Sequence, residues 1–133
     1  MRGWRIALMV VPIAVAACDS TPPYIREARQ RFDENFICEQ NATEEYVMCS
    51  YRPEPTALST MPQIAFFVWD VAAKEILFEQ SNVHGSSGWV DDFEIEMTLI
   101  PGIVTEEERG APIFRIDVRT GNRRRVQAGE TPN

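Results

Sequence analysis

Hydrophobic and polar positions change rhythm several times along the chain. Ile6 to Ala17 is an unbroken apolar run without a charge. From Tyr24 to Phe32 the rhythm becomes helical: Tyr24, Ile25, Ala28 and Phe32 recur at that spacing behind Pro22 and Pro23. This predicts a short helix started by proline, with an extended linker as the alternative. The segment NFICEQNATEEYVMCSY then sets two apolar-rich arms around a polar middle and predicts a hairpin. YRPEPTALSTMPQ (51–63) carries three prolines and little periodicity, as a loop does.

The strand signal strengthens after that loop. IAFFVWDV (64–71) is apolar on both faces, as expected of a central strand covered on both sides. EILFEQ (75–80) alternates and completes a hairpin with it, while SNVHGSSG (81–88) is rich in turn formers and predicts a flexible loop. The second half of WVDDFEIEMTLI (89–100) places Phe93, Ile95, Met97 and Leu99 on one face and Glu94, Glu96 and Thr98 on the other. After a polar excursion at 103–111, PIFRIDVRT (112–120) alternates again, with Phe114, Ile116 and Val118 inward and Arg115, Asp117 and Arg119 outward. RRRVQ reads as a short returning edge strand whose charges discourage strand addition. Asp70 and Asp117 occupy matching places in two similar strand–turn–strand segments, which suggests two like hairpins in one sheet system. The expected fold is mainly β: a small antiparallel sandwich or half-open barrel of about five to seven strands, with a short N-terminal helix.

The apolar run at the start is shorter than the roughly 20 residues a spanning helix needs. Arg2 and Arg5 precede it and small residues follow, the layout of an export signal peptide. Val15-Ala16-Ala17-Cys18 resembles the lipobox of bacterial lipoproteins. The resemblance implies that the Cys18 sulfur receives a diacylglyceryl group and that the peptide is cut before it. The expected organisation is a signal peptide at 1–17, a lipidated Cys18 with tether and short helix at 18–33, and a β domain at 34–133. Two or three acyl chains, as such proteins carry, hold a domain stably without a spanning segment, whereas one chain holds it only marginally. Asp19, next to the cysteine, resembles the inner-membrane retention signal of enteric bacteria; the outer membrane stays open as the alternative.

Charge adds a second constraint. Arg2 and Arg5 leave with the signal, so 13 basic residues become 11 against 20 acidic, and the formal charge moves from −7 to −9. Nucleic acid is thereby excluded as an expected partner, because phosphate binding rests on clustered Lys and Arg. The Arg123-Arg124-Arg125 run is the exception, read most simply as a solvated hairpin end. With Cys18 assigned to lipid, Cys38 and Cys49 are left as an extracytoplasmic pair and are expected to form a disulfide across the hairpin. The sequon Asn41-Ala42-Thr43 carries little weight in a bacterial chain.

Candidate chemistry concentrates between residues 84 and 96. His84 lies near Ser86, Ser87 and Asp91, but sequence proximity does not supply triad geometry and no nucleophile-elbow pattern is present. The simpler reading of His84 is a loop residue in solvent. Asp91, Asp92, Glu94 and Glu96 form a denser set, in which Glu94 and Glu96 on one strand face suit a glycosidase carboxylate pair, hard-oxygen ligands for Ca²⁺, or simple pairing with Arg115 and Arg119 across the next strand. Trp69 is expected in the core; Trp89 either joins it or anchors a partner. His84, Trp89, Asp91, Asp92, Glu94 and Glu96 are therefore the candidate binding surface, with no catalytic residue, metal ligand or cofactor assigned. The expected function is a lipid-anchored, non-catalytic binding or assembly module for an envelope protein or cell-wall component, facing the periplasm. The alternative is a periplasmic hydrolase or metal-stabilised domain using the acidic 84–96 region.

Overall fold

The computed structural model describes residues 20–58, 60–100 and 111–127. The apolar N-terminal run, the Val15-Ala16-Ala17-Cys18 motif, Asp19 and most of the polar excursion at 103–111 lie outside the described residues. Among the described residues one helix, α1 (Pro23–Phe32), precedes seven strands: β1 (Phe36–Gln40), β2 (Tyr46–Tyr51), β3 (Gln63–Asp70), β4 (Glu75–Trp89), β5 (Glu94–Leu99), β6 (Ile113–Asp117) and β7 (Arg123–Val126). The strands follow sequence order in the sheet and every neighbouring pair is antiparallel. Among the described residues β1 and β7 are not paired with each other, so the meander is an open, unclosed sheet.

Residues 81–88 correct the sequence reading. They form no loop but the middle of β4, a 15-residue strand. Its first part, Glu75 to His84, pairs with β3; its last part, Gly85 to Trp89, pairs with β5. The change of partner falls between His84 and Gly85. The Gly85 N–H still donates to the Pro62 carbonyl (3.0 Å), and the Ile100 N–H donates to the His84 carbonyl (2.8 Å). Gly85 has φ +150°, and a Cβ built there would lie 1.9 Å from the Thr98 carbonyl oxygen. Only glycine accepts both that conformation and that approach. The turn formers thus build a strand that serves two parts of the sheet, the usual device for turning a corner. Register shifts between Ile64 and Phe66 and between Val68 and Trp69 add irregularity to the same β3–β4 pair.

The corner lets the two halves of the meander face one another. Met48, Ile64, Phe66 and Val68 from β2 and β3 share one buried cluster with Ile95, Met97, Ile116 and Val118 from the second half. The opposite face of β2 and β3 packs under α1. There Ala28, Val47, Cys49, Phe67 and Trp69 are buried, with Tyr24, Phe32 and Cys38 against them. β3 is therefore covered on both sides, which is why its apolar residues do not alternate with polar ones. Tyr24, Ala28 and Phe32, at successive i+4 positions, form the inner stripe of α1. Pro23 occupies its first turn, where a missing N–H costs no helical hydrogen bond. Cys38 and Cys49 are directly opposite in the β1–β2 register and joined as a disulfide, their Cα atoms 4.0 Å apart. Trp69 is in the core as expected.

Candidate functional site

Three turns meet beside the β5–β6 ladder, and each is held by a side chain. In the β4–β5 turn the Asp91 carboxylate accepts the backbone N–H groups of Phe93 (2.8 Å) and Glu94 (2.7 Å). In the β1–β2 turn Asn41, 4% exposed, uses its amide in both directions. Its Oδ1 accepts the Tyr46 N–H (3.0 Å), while its Nδ2 donates to Thr43 Oγ1 (2.9 Å) and to the Asp92 carbonyl (2.6 Å). The last bond ties the first hairpin to the β4–β5 turn. Trp89 makes a second tie, donating its indole N–H to the Glu39 carbonyl at 3.1 Å. In the β6–β7 turn Asp117 accepts the Arg119 N–H (2.9 Å), and Val118 donates to the Phe93 carbonyl (2.9 Å).

Phe93 stands between these turns. Tyr46 meets its ring edge-on at 6.3 Å, and the Arg119 guanidinium carbon lies 4.2 Å from its centroid. Two guanidinium nitrogens of Arg119 donate to the two carboxylate oxygens of Asp117, at 3.2 and 2.8 Å. That fork holds the Asp117 carboxyl below its usual range and raises Arg119 further. Burial, with the Asp70 charge nearby, pushes the Tyr46 phenol up. Arg124 on β7 reaches Glu94 at 3.4 Å. The result is a groove of about 500 Å³ lined by Asp91, Asp92, Phe93, Glu94, Asp117, Arg119 and Arg124. Four carboxylates and two guanidinium groups surround one aromatic ring.

This arrangement divides the residues singled out by sequence. Asp91, Asp92 and Glu94 share the groove. Glu96 does not line it: it pairs with Arg115 across the ladder at 3.3 Å, as the alternation predicts. Arg115 itself is buried rather than outward in solvent, and Arg119 pairs with Asp117 instead of a β5 glutamate. Trp89 packs partly buried against the core below the turn. His84 is at the other end of the β4–β5 ladder, near Leu99 and Ile100, about 17 Å at strand rise from Trp89, where β4 enters the Asp91 turn. It is half-buried within β4, not a loop residue in solvent, and its Nδ1 is a buried nitrogen with no hydrogen-bond partner among the described residues. Ser87 directs its hydroxyl toward Met48 Sδ at 3.9 Å and Ser86 is exposed, so Ser86, Ser87, His84 and Asp91 do not assemble a triad. Among the described residues no three His, Cys, Asp or Glu side chains converge on a point that could hold a metal ion.

Sequence reasoning missed Asp117, Arg119 and Arg124 as groove residues. Asp117 was traceable from the outward alternation of β6, but Arg124 enters only because β7 returns beside β6 and reaches diagonally to β5. No helix among the described residues is long and apolar enough to cross a membrane. No protein-family model, no curated protein and no solved structure matches the chain.

Proposed function

We propose that this chain is a bacterial envelope lipoprotein, held to the membrane by lipid on Cys18 and facing the periplasm, whose folded part is a non-catalytic binding or assembly module. Its partner is an envelope protein or a cell-wall component, engaged at the groove around Phe93. Asp19 favours the inner membrane. The observation that carries the binding role is the Phe93–Arg119–Asp117 assembly, in which an aromatic face, a cation and an anion are fixed before any partner arrives. Pre-ordered side chains lower the entropic cost of association, and a mixed-charge rim around an aromatic centre suits a polar partner. The lipobox-like motif supports the anchor, and the joined Cys38–Cys49 pair fits an oxidising compartment.

The test uses the membrane-extracted protein as bait against solubilised envelopes. A single reproducible partner is expected, and it should be lost with Asp92→Lys/Arg124→Glu while the melting temperature stays near that of the parent. Recovery of the same proteins by parent and variant defeats the groove as the binding site. Intact mass of the native product tests the anchor separately: a chain beginning at Met1 with a free Cys18 thiol ends that half of the proposal.

A further inference from the structure

Resting on the reading that Cys18 carries lipid, we propose that the outward face of α1, presenting Arg26 and Arg29, lies on the anionic phospholipid headgroups of the membrane that holds the anchor. Two independent observations point there. The first is charge. Tyr24, Ala28 and Phe32 are taken up by the β2–β3 face, which leaves Arg26, Arg29 and Gln30 exposed on the other side of the helix. Arg26 and Arg29, three residues apart, are neighbours on that side. Glu27, the one acid in the helix, is bonded to Arg31 at 2.7 Å, and Arg31 also pairs with Glu79 of β4. Between Pro23 and Phe32 the outward face therefore carries two positive charges and no negative one, the exposed C-cap Asp33 being the first acid beyond it, on a chain whose formal net charge is −7.

The second observation is reach. α1 begins at Pro23, five residues after Cys18. Five residues span at most about 18 Å even fully extended. A lipid at Cys18 thus keeps the start of α1 within little more than two Debye lengths of the headgroups at physiological salt, each about 8 Å. At an anionic surface each arginine favours contact about fivefold, so the pair favours it about 25-fold over the same orientation on a neutral surface.

The experiment reads those two side chains directly. The membrane-extracted protein, its anchor checked by intact mass, is reconstituted into vesicles of phosphatidylcholine alone or of phosphatidylcholine with phosphatidylglycerol. Phenylglyoxal labelling at Arg26, Arg29 and the exposed Arg125 is then followed by mass spectrometry. Labelling of Arg26 and Arg29 should be severalfold slower on the anionic vesicles, Arg125 should be unchanged, and about 0.5 M salt should erase the difference. Equal labelling on both vesicles by a chain of lipidated mass overturns this inference and leaves the proposed anchor standing. An unmodified Cys18 overturns both. Protection in native envelopes but on neither vesicle also overturns it, in favour of an acidic protein as the occupant.

Discussion

Asp117 closes the β6–β7 turn through its bond from the Arg119 N–H and holds the Arg119 guanidinium over Phe93. Its carboxyl is lowered chiefly by the side-chain bond from Arg119. A carboxyl lowered on folding contributes stability that is fully present above its unfolded pKa, near 4, and is lost as pH falls through the folded value. Thermal melts of the parent from pH 7 downward should therefore show an acid limb below about pH 4 that Asp117→Asn flattens. The variant should also be less stable than the parent at neutral pH; equal acid limbs would remove Asp117 from the account. Asn41 is the buried counterpart. Asn41→Ala leaves the Tyr46 N–H without its acceptor and cuts the tie to the Asp92 carbonyl, and should cost about 1–3 kcal/mol in urea unfolding.

The β1–β2 hairpin was readable because its evidence is local. Two cysteines flank a polar middle, and the register places them directly opposite. Closing that loop, with a sequence separation of 11, stabilises by about 2–3 kcal/mol on the chain-entropy model. Cys38→Ser/Cys49→Ser should lower the unfolding free energy measured in urea by that amount, and reductant should move the parent but not the variant. β3 was readable for a different reason: covering on both faces leaves an apolar run that no half-exposed strand would tolerate. The paired aspartates were readable as well. Asp70 accepts the Ala73 N–H and the Lys74 N–H returns to its carbonyl; Asp117 accepts the Arg119 N–H and the Gly121 N–H returns likewise. Lys74 and Gly121, each four residues on, both have positive φ, so the echo in sequence is one turn geometry used twice. The groove was only half readable. Its β4–β5 acids lie in one stretch and Arg119 is held by Asp117 two residues away, whereas Arg124 depends on where β7 is laid down, which no local pattern encodes.

The architecture of the whole chain turns on the change of partner within β4. A loop at 81–88 would join two sheets that could move independently; a continuous strand makes them one sheet with a shared core. The small polar residues there mislead because turn chemistry and corner chemistry call for the same side chains: little bulk and access to unusual φ. Gly85 and Gly88 separate the two explanations. Both are in β4, and both face β5, opposite Leu99 and Glu96. A Cβ at Gly88 meets nothing within 4 Å and needs no positive φ, whereas at Gly85 it meets the Thr98 carbonyl at 1.9 Å with φ at +150°. Gly88→Ala should be neutral or stabilise by up to about 1 kcal/mol through the unfolded chain. Gly85→Ala should destabilise by about 2 kcal/mol or more and broaden the unfolding transition, as β5–β7 loosen from the first half. Paired thermal and urea melts check this, with hydrogen exchange of β5 as the local readout. If alanine at 85 melts like alanine at 88, residues 81–88 are a spacer after all, and the facing halves must be held by core packing alone.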